Sequence, residues 1–412
     1  MRHPVCSLLI LVLSSAVHFA GPASAEETPV ALPAADPAPA TPSGGASPWR
    51  LAWHGYAFLD SNRQGGPSGG RDFESINHFM VMAERPLGAW TMELLGTFSL
   101  EPATVAPEGS PLLFQRGETY GGNLLIDKQH AHDLFVQLAA AWSRPLTEAT
   151  SLRLYAGLRG EPAVGPEAYP HRLSASENPS APLAHHNLDS THISDDVVSA
   201  GWISKIVTVE GSLFHGEEPD EDRWDLDQGA LDSYAGRITV RPIDGLSFQA
   251  SACRREDPEA LEEGNQTRVT ASVSWEKRWR DGFIAALAAA GENRLPEDAV
   301  ERGSLVEATW NLRTRHFLYG RAERVDRDVY ELTNKTQRPE TVAPDTTQVS
   351  TLSLGYSYTV PLLDEAETAV GALVDFYRFD RSLEPVYGDS PVSFWAYLRF
   401  RFGSAGGHAH HH

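Results

Sequence analysis

The sequence predicts an all-β fold, a closed antiparallel transmembrane β-barrel of about sixteen strands with short turns at one end and long loops at the other. Three observations lead there. Apolar and polar residues alternate with period two in segments of about ten residues. The connections between those segments are alternately short and long. No window of the chain is hydrophobic enough to cross a bilayer as a helix.

The last segment shows the alternation most clearly. Phe394, Ala396, Leu398, Phe400 and Phe402 share one face, and Ser393, Trp395, Tyr397, Arg399 and Arg401 share the other. The first face suits lipid and the second a wet lumen. Likewise Leu352, Leu354, Tyr356 and Tyr358 oppose Thr351, Ser353, Ser357 and Thr359, and Val269, Ala271, Val273 and Trp275 oppose Arg268, Thr270, Ser272 and Ser274. Leu152, Leu154, Ala156 and Leu158 oppose Ser151, Arg153, Tyr155 and Arg159. A soluble sandwich of this length would need a core that a single domain seldom fills.

The closing run Tyr397-Leu-Arg-Phe-Arg-Phe402 resembles the C-terminal aromatic strand of Gram-negative outer-membrane barrels, although this chain continues for several residues beyond it. The resemblance implies an outer-membrane location, contact with outer-membrane lipid and lipopolysaccharide, recognition by the barrel-assembly machinery, and a porin-like architecture. The runs 115–120, 127–135 and 185–192 are similar to segments of uncharacterised exported bacterial barrel proteins, a likeness that implies no activity.

With a periplasmic N-terminus, strands are expected near 50–60, 73–85, 89–99, 131–144, 149–158, 193–204, 206–215, 231–242, 245–254, 265–277, 282–292, 302–312, 315–324, 346–360, 366–380 and 390–402. Tight turns then fall at 85–88, 243–245, 278–281 and 362–365, and the longest loops at 100–130 and 159–192. An even strand count returns the C-terminus to the periplasm.

The ends follow a different chemistry. Residues 1–25 combine Arg2 and His3, an apolar stretch and Ala23-Ser24-Ala25, the pattern of a cleaved export signal. Residues 26–48 are rich in Pro and Ala and read as an extended periplasmic linker. Residues 49–403 form the barrel, and 404–412 a His-rich periplasmic tail. After cleavage Cys253 alone remains, so no intrachain disulfide is expected. A mean hydropathy of -0.31 fits a barrel whose lipid face is only every second residue. The net charge of -21 argues against nucleic acid as a partner. Much of the acid sits at 217–227 and 256–263, as solvated loop charge or as a means of attracting cations and divalent-bridged lipopolysaccharide.

Histidine and acid converge on the two longest loops, with His130, His132 and Asp133 at one and His185, His186, Asp189 and His192 at the other. Both sets are expected at the outer rim about two strand widths, roughly 10 Å, apart. Imidazole with carboxylate is a ligand set for copper, zinc or nickel. The competing reading is that these side chains bond one another and pack the loops into a plug. His54, His78, Met80 and Met82 fall on the inferred lumen face of the first hairpin, where thioether and imidazole favour copper; ordinary core or lipid packing is the alternative. Cys253 is expected to point inward as an inert thiol. The tail residues His408, His410, His411 and His412 offer a flexible site for Zn, Cu or Ni.

The inferred lumen carries charge of both signs, with Arg153, Arg237, Arg268, Glu276, Glu307, Arg321, Asp375, Arg399 and Arg401 as expected pore-lining residues. At about sixteen strands the interior is wide enough for water. The expected function is therefore a porin-like channel, monomeric or homotrimeric, for small polar solutes or ions, with copper or zinc handling as its sharper form. A ligand- or partner-binding barrel closed by its loops is the alternative. Asp189-Ser190-Thr191-His192 holds nucleophile and base types, but too close in sequence to form a triad unaided, so an enzyme acting on lipid at the rim ranks third.

Overall fold

The computed structural model describes residues 49–261, 264–296, 299–339 and 341–403; the expected signal, linker and histidine tail lie outside the described residues. Among the described residues eighteen strands run in chain order: β1 (Arg50–Arg63), β2 (Arg71–Leu87), β3 (Trp90–Phe98), β4 (Ser110–Tyr120), β5 (Asn123–Gln129), β6 (Phe135–Pro145), β7 (Thr150–Gly160), β8 (Ser194–Ser204) and β9 (Val207–Phe214). They continue as β10 (Ser233–Ile243), β11 (Leu246–Arg255), β12 (Gln266–Trp279), β13 (Gly282–Arg294), β14 (Val300–Leu312), β15 (His316–Asp328), β16 (Thr346–Val360), β17 (Glu367–Arg378) and β18 (Val392–Gly403). Among the described residues, β4 and β5 pair only with each other, and the remaining sixteen strands close into one antiparallel ring, β18 pairing with β1 through registers such as Phe58 with Arg399. Every barrel strand lies within a few residues of its expected position.

Alternation dictates the two faces. On β16, Leu352, Leu354 and Tyr356 are exposed while Thr351, Ser353 and Ser357 are buried. Aromatic residues concentrate at the two water–lipid boundaries, where an amphipathic ring is favoured. Trp53, Trp202, Trp275, Trp279 and Trp310 are exposed near the short-turn end, and Phe73, Tyr234, Phe376 and Phe394 near the long-loop end.

The interior differs from the expected wet lumen. Lumen-facing positions are not uniformly polar: Leu287, Leu305, Phe317, Tyr319, Leu373, Trp395 and Tyr397 are all buried. Large apolar side chains turned inward need cover from water, and the chain supplies it from its own long loops. Leu112, Leu113 and Phe114 of the β4–β5 hairpin, Leu183 and Leu188 of the β7–β8 connection, and Leu332, Leu383 and Tyr387 from short helical turns form one buried cluster with those wall residues other than Phe317. Phe114 stacks on Tyr387 with ring centroids 4.1 Å apart. The outer half of the barrel thus holds a core of the kind found in a soluble protein.

Candidate functional site

The β7–β8 connection, residues 161–193, folds into the barrel and is held at several points of the wall. Its stem is fixed by Arg159, fully buried, which donates to both oxygens of Asp195 at 2.8 Å and pairs with Asp133 and Asp227. The backbone amides of Ala163 and Gly165 donate to Ser212 Oγ on β9 at 2.7 Å and Ser251 Oγ on β11 at 2.8 Å. The loop then reaches the opposite strands. Arg172 donates to Glu307 on β14 at 2.8 Å and to Asp189 at 2.6 Å. Glu177 accepts from Ser357 Oγ on β16 at 2.6 Å and pairs with Arg399 and Arg401 on β18. Tyr397 donates to the Glu177 carbonyl at 2.9 Å, and Arg321 to Glu307 and to the Ser180 carbonyl.

The returning limb carries a short helix, His185–Leu188. Asn187 rests on β13 and β14 where both strands have glycine: a Cβ on Gly291 would stand 2.0 Å from the Asn187 carbonyl oxygen, and one on Gly303 2.6 Å from Asn187 Oδ1. Arg268 and Asn293 donate to the His186 carbonyl at 2.7 and 2.9 Å. Charges buried this deeply are stable only when paired, and removing one partner of such a pair costs about 3–5 kcal/mol. The wall arginines and loop acids therefore act as a set of clasps.

The expected pore-lining residues divide by depth. Arg268, Glu307, Arg321, Asp375 and Arg399 are buried, all but Asp375 in contact with the infolded loop. Arg237 donates to Glu210 at 2.9 Å and contacts the Gly165 carbonyl, and Arg401 reaches Glu177. Arg153 pairs with Glu93 at 2.7 Å, partly exposed, while Glu276 is exposed at the short-turn rim beside Arg278.

The histidines of the two loops meet inside this assembly. Ring centroids run from His171 to His78 (4.9 Å), His132 (6.4 Å), His192 (5.5 Å), His185 (5.2 Å), His186 (5.3 Å) and His130 (5.9 Å). Tyr169 packs against His132, His185 and His192. Each contact with the protein matters for what the rings can bind. His130 lies against Glu118 at 3.2 Å, His132 against Glu101 at 2.9 Å, and His185 against Asp189 at 2.8 Å. His192 uses Nδ1 on the Asp189 carbonyl at 2.9 Å. Among the described residues no hydrogen-bond partner reaches His192 Nε2, His186 Nε2 or either ring nitrogen of His78.

Burial, with neighbouring cationic side chains, holds His130, His186 and His192 well below the ordinary imidazole range. They are neutral near pH 7 and keep a lone pair to offer. His132 is shifted up instead, because the Glu101 carboxylate outweighs the burial that would lower it. The two carboxylates paired with these histidines in the sequence are already engaged. Asp133 is bound by Arg159 and Arg223. Asp189 is bound by Arg172 and His185, which together overcome burial and hold it well below the carboxylate range.

His54 faces Met80 across the β1–β2 pair, with Met82 opposite Ala52. Cys253 is buried with Val164, Val197 and Phe214. The Ser190 hydroxyl is held by Arg268 at 3.0 Å and lies 3.5 Å from Glu218, an arrangement unlike a nucleophile poised on His192. Sequence reasoning did not single out Tyr169, His171, Arg172 or Glu177, which come together only once the loop turns inward. The signal available was the loop's length, since a connection of this size is uncommon unless functional.

No family model and no curated protein matches the chain. Solved structures do. The anion-selective porin from Comamonas acidovorans aligns with a TM-score of 0.53 at 8% identity, over 86% of this chain and 100% of that one. Salmonella typhi OmpF, in complex with daunomycin, aligns with 0.52 at 10% identity, over 87% and 98%. In-vitro folded OmpT, an outer membrane protein of Vibrio cholerae, aligns with 0.50 at 11% identity, over 86% and 98%. The likeness is one of fold, that of the outer-membrane β-barrels of Gram-negative bacteria.

Proposed function

We propose that this barrel is a porin-like channel for small polar solutes or ions in which the infolded loop 161–193 is the gate, and that copper or zinc ions are among its cargo. The observation that carries the reading is the set of buried clasps, Arg172 with Glu307 and Glu177 with Arg399, by which one loop is held against opposite parts of the wall. Such pairs are strong when closed and give the loop an alternative state once broken. The file of imidazoles, in which His130, His186 and His192 are neutral, supports the metal cargo, because nitrogen donors at successive short steps suit an exchangeable borderline cation. The porins that share the fold supply the precedent for passage through a barrel of this kind.

One observation favours a second reading, a binding barrel with a closed lumen. The cavity bordered by Asp60, Glu74, Glu101, His132 and Tyr169 measures about 20 Å³, room for about one water molecule. Single-channel conductance of the refolded full chain in a planar bilayer, with and without Cu(II) or Zn(II), separates the two. Open currents blocked by metal and restored by chelator are expected for the channel. Silence from verified folded protein would replace it with the binding reading.

A further inference from the structure

At the long-loop end of the barrel three connections converge on one point. His186 comes from the returning limb of the infolded loop, Glu218 from the β9–β10 connection and Glu259 from the β11–β12 connection. One ligand atom of each lies within 4.8 Å of the other two. The Glu218 side chain is only 8% exposed. Arg255 donates to its Oε1 at 3.0 Å, and Ser190 Oγ lies 3.5 Å from the same oxygen. The second oxygen, Oε2, is buried with no hydrogen-bond partner among the described residues, and His186 Nε2 is in the same condition.

Two buried acceptors with no donor are costly where they stand. The protein nevertheless holds them in place: Arg255 fixes one side of the carboxylate and turns the other inward, while Arg268 and Asn293 fix the backbone of His186. A cation placed between them would satisfy both at once. An imidazole nitrogen with two carboxylate oxygens is a donor set that zinc accepts at about 2.0–2.2 Å, with further positions left for water. Arg255 and Arg268 stand on the wall side and offset part of the acidic charge. Their presence favours an ion held loosely enough to exchange over one locked in place.

We propose that His186, Glu218 and Glu259 form a divalent metal site, zinc in the first instance, at the outer mouth of the barrel. The site deepens the metal-handling reading and rests on it for purpose, since it names where an arriving ion is first held. His186 also stands next to His185 and His130, at 5.3 and 5.9 Å, so the site opens directly onto the imidazole file. The sequence marked His186 as a candidate, but placed its two carboxylate partners only within broad acidic stretches.

The test is zinc titration by calorimetry on the folded full chain in detergent. All samples carry His408→Ala, His410→Ala, His411→Ala and His412→Ala, so that the tail does not compete. One zinc equivalent is expected whose affinity falls about tenfold or more in Glu259→Gln, as ligand loss should cost at least what loss of an outer-shell partner does. His186→Ala should remove the same equivalent, and zinc absorption spectra should show a nitrogen and oxygen shell. Glu259→Gln keeps the size of the side chain and the Arg255–Glu218 pair, so unchanged zinc binding in that variant would overturn the site even if His186→Ala failed to fold. Absence of zinc binding by the folded chain would overturn it as well. Zinc bound as expected by a barrel that passes no current would keep the site and remove the channel reading; current without zinc binding would do the reverse.

Discussion

Replacing Glu177 by alanine should release the gate. Its side chain is fully buried, pairs with Arg399 and Arg401, and accepts from Ser357 Oγ. Removing the carboxylate leaves Arg399, itself buried, with Glu367 alone among its acidic partners. Loss of one member of such a buried group costs about 3–5 kcal/mol. At about 1.4 kcal/mol per factor of ten, the released population should rise by roughly two to three and a half orders of magnitude. The wall does not need the loop for its backbone bonds, so release should be a local opening and not unfolding of the barrel. The assay is open probability in planar bilayers, with gel mobility before and after heating as the control for folding. Glu177→Gln should fall between wild type and alanine, because it keeps a partner for Ser357. A folded Glu177→Ala barrel that conducts no differently from wild type would refute both the gate and the role given to these clasps.

Gly291→Ala should push the returning limb off β13, since its Cβ would stand 2.0 Å from the Asn187 carbonyl oxygen; overpacking of this kind costs about 1–3 kcal/mol, readable as a lower melting temperature together with raised conductance. Arg159→Ala should cost about 3–5 kcal/mol by stranding Asp195 and leaving Asp133 with Arg223 alone, seen as a lower temperature for the heat-induced gel shift, and a neutral result would mean that the stem is held elsewhere. Alkaline pH should favour the open state. Burial pushes Glu167 up to about 8 and Glu161 up to about 7, with Glu161 adding to the shift at Glu167. A carboxyl whose docked value lies above its free value of 4.5 docks without penalty below that value. The penalty grows as pH rises towards the docked values and is complete above them. Open probability should therefore climb between about pH 4.5 and pH 8, and Glu167→Gln should flatten the climb.

The barrel was legible because a strand between lipid and lumen must alternate, and most of the ring strands do so even where Leu305 or Tyr397 replaces a charge on the inner face. The β4–β5 hairpin was not legible: its register shifts twice, and Phe114 and Asp127 take positive φ, so no period survives. The filled interior was hidden for a related reason. A loop in a lumen takes its order from the wall, so residues 161–193 needed no period of their own. Charges such as Glu307 and Arg399 could be placed facing inward, but whether they face water or Arg172 and Glu177 depends on chain far away in sequence. The histidines were visible as residue types on two loops; their arrangement as a file was not, because His78 enters it from β2 and His171 from the far side of the loop.

The position of Arg399, Arg401 and Tyr397 has a consequence for the order of assembly. They lie on β18, the strand that also pairs with β1 to seal the ring. The loop they grip lies between β7 and β8, and its bonds to β9, β11, β12 and β14 can form without β18. Its fastening to Arg399 and Arg401 cannot precede the strand that seals the ring, so closing the cylinder also completes the loop's hold on the far wall.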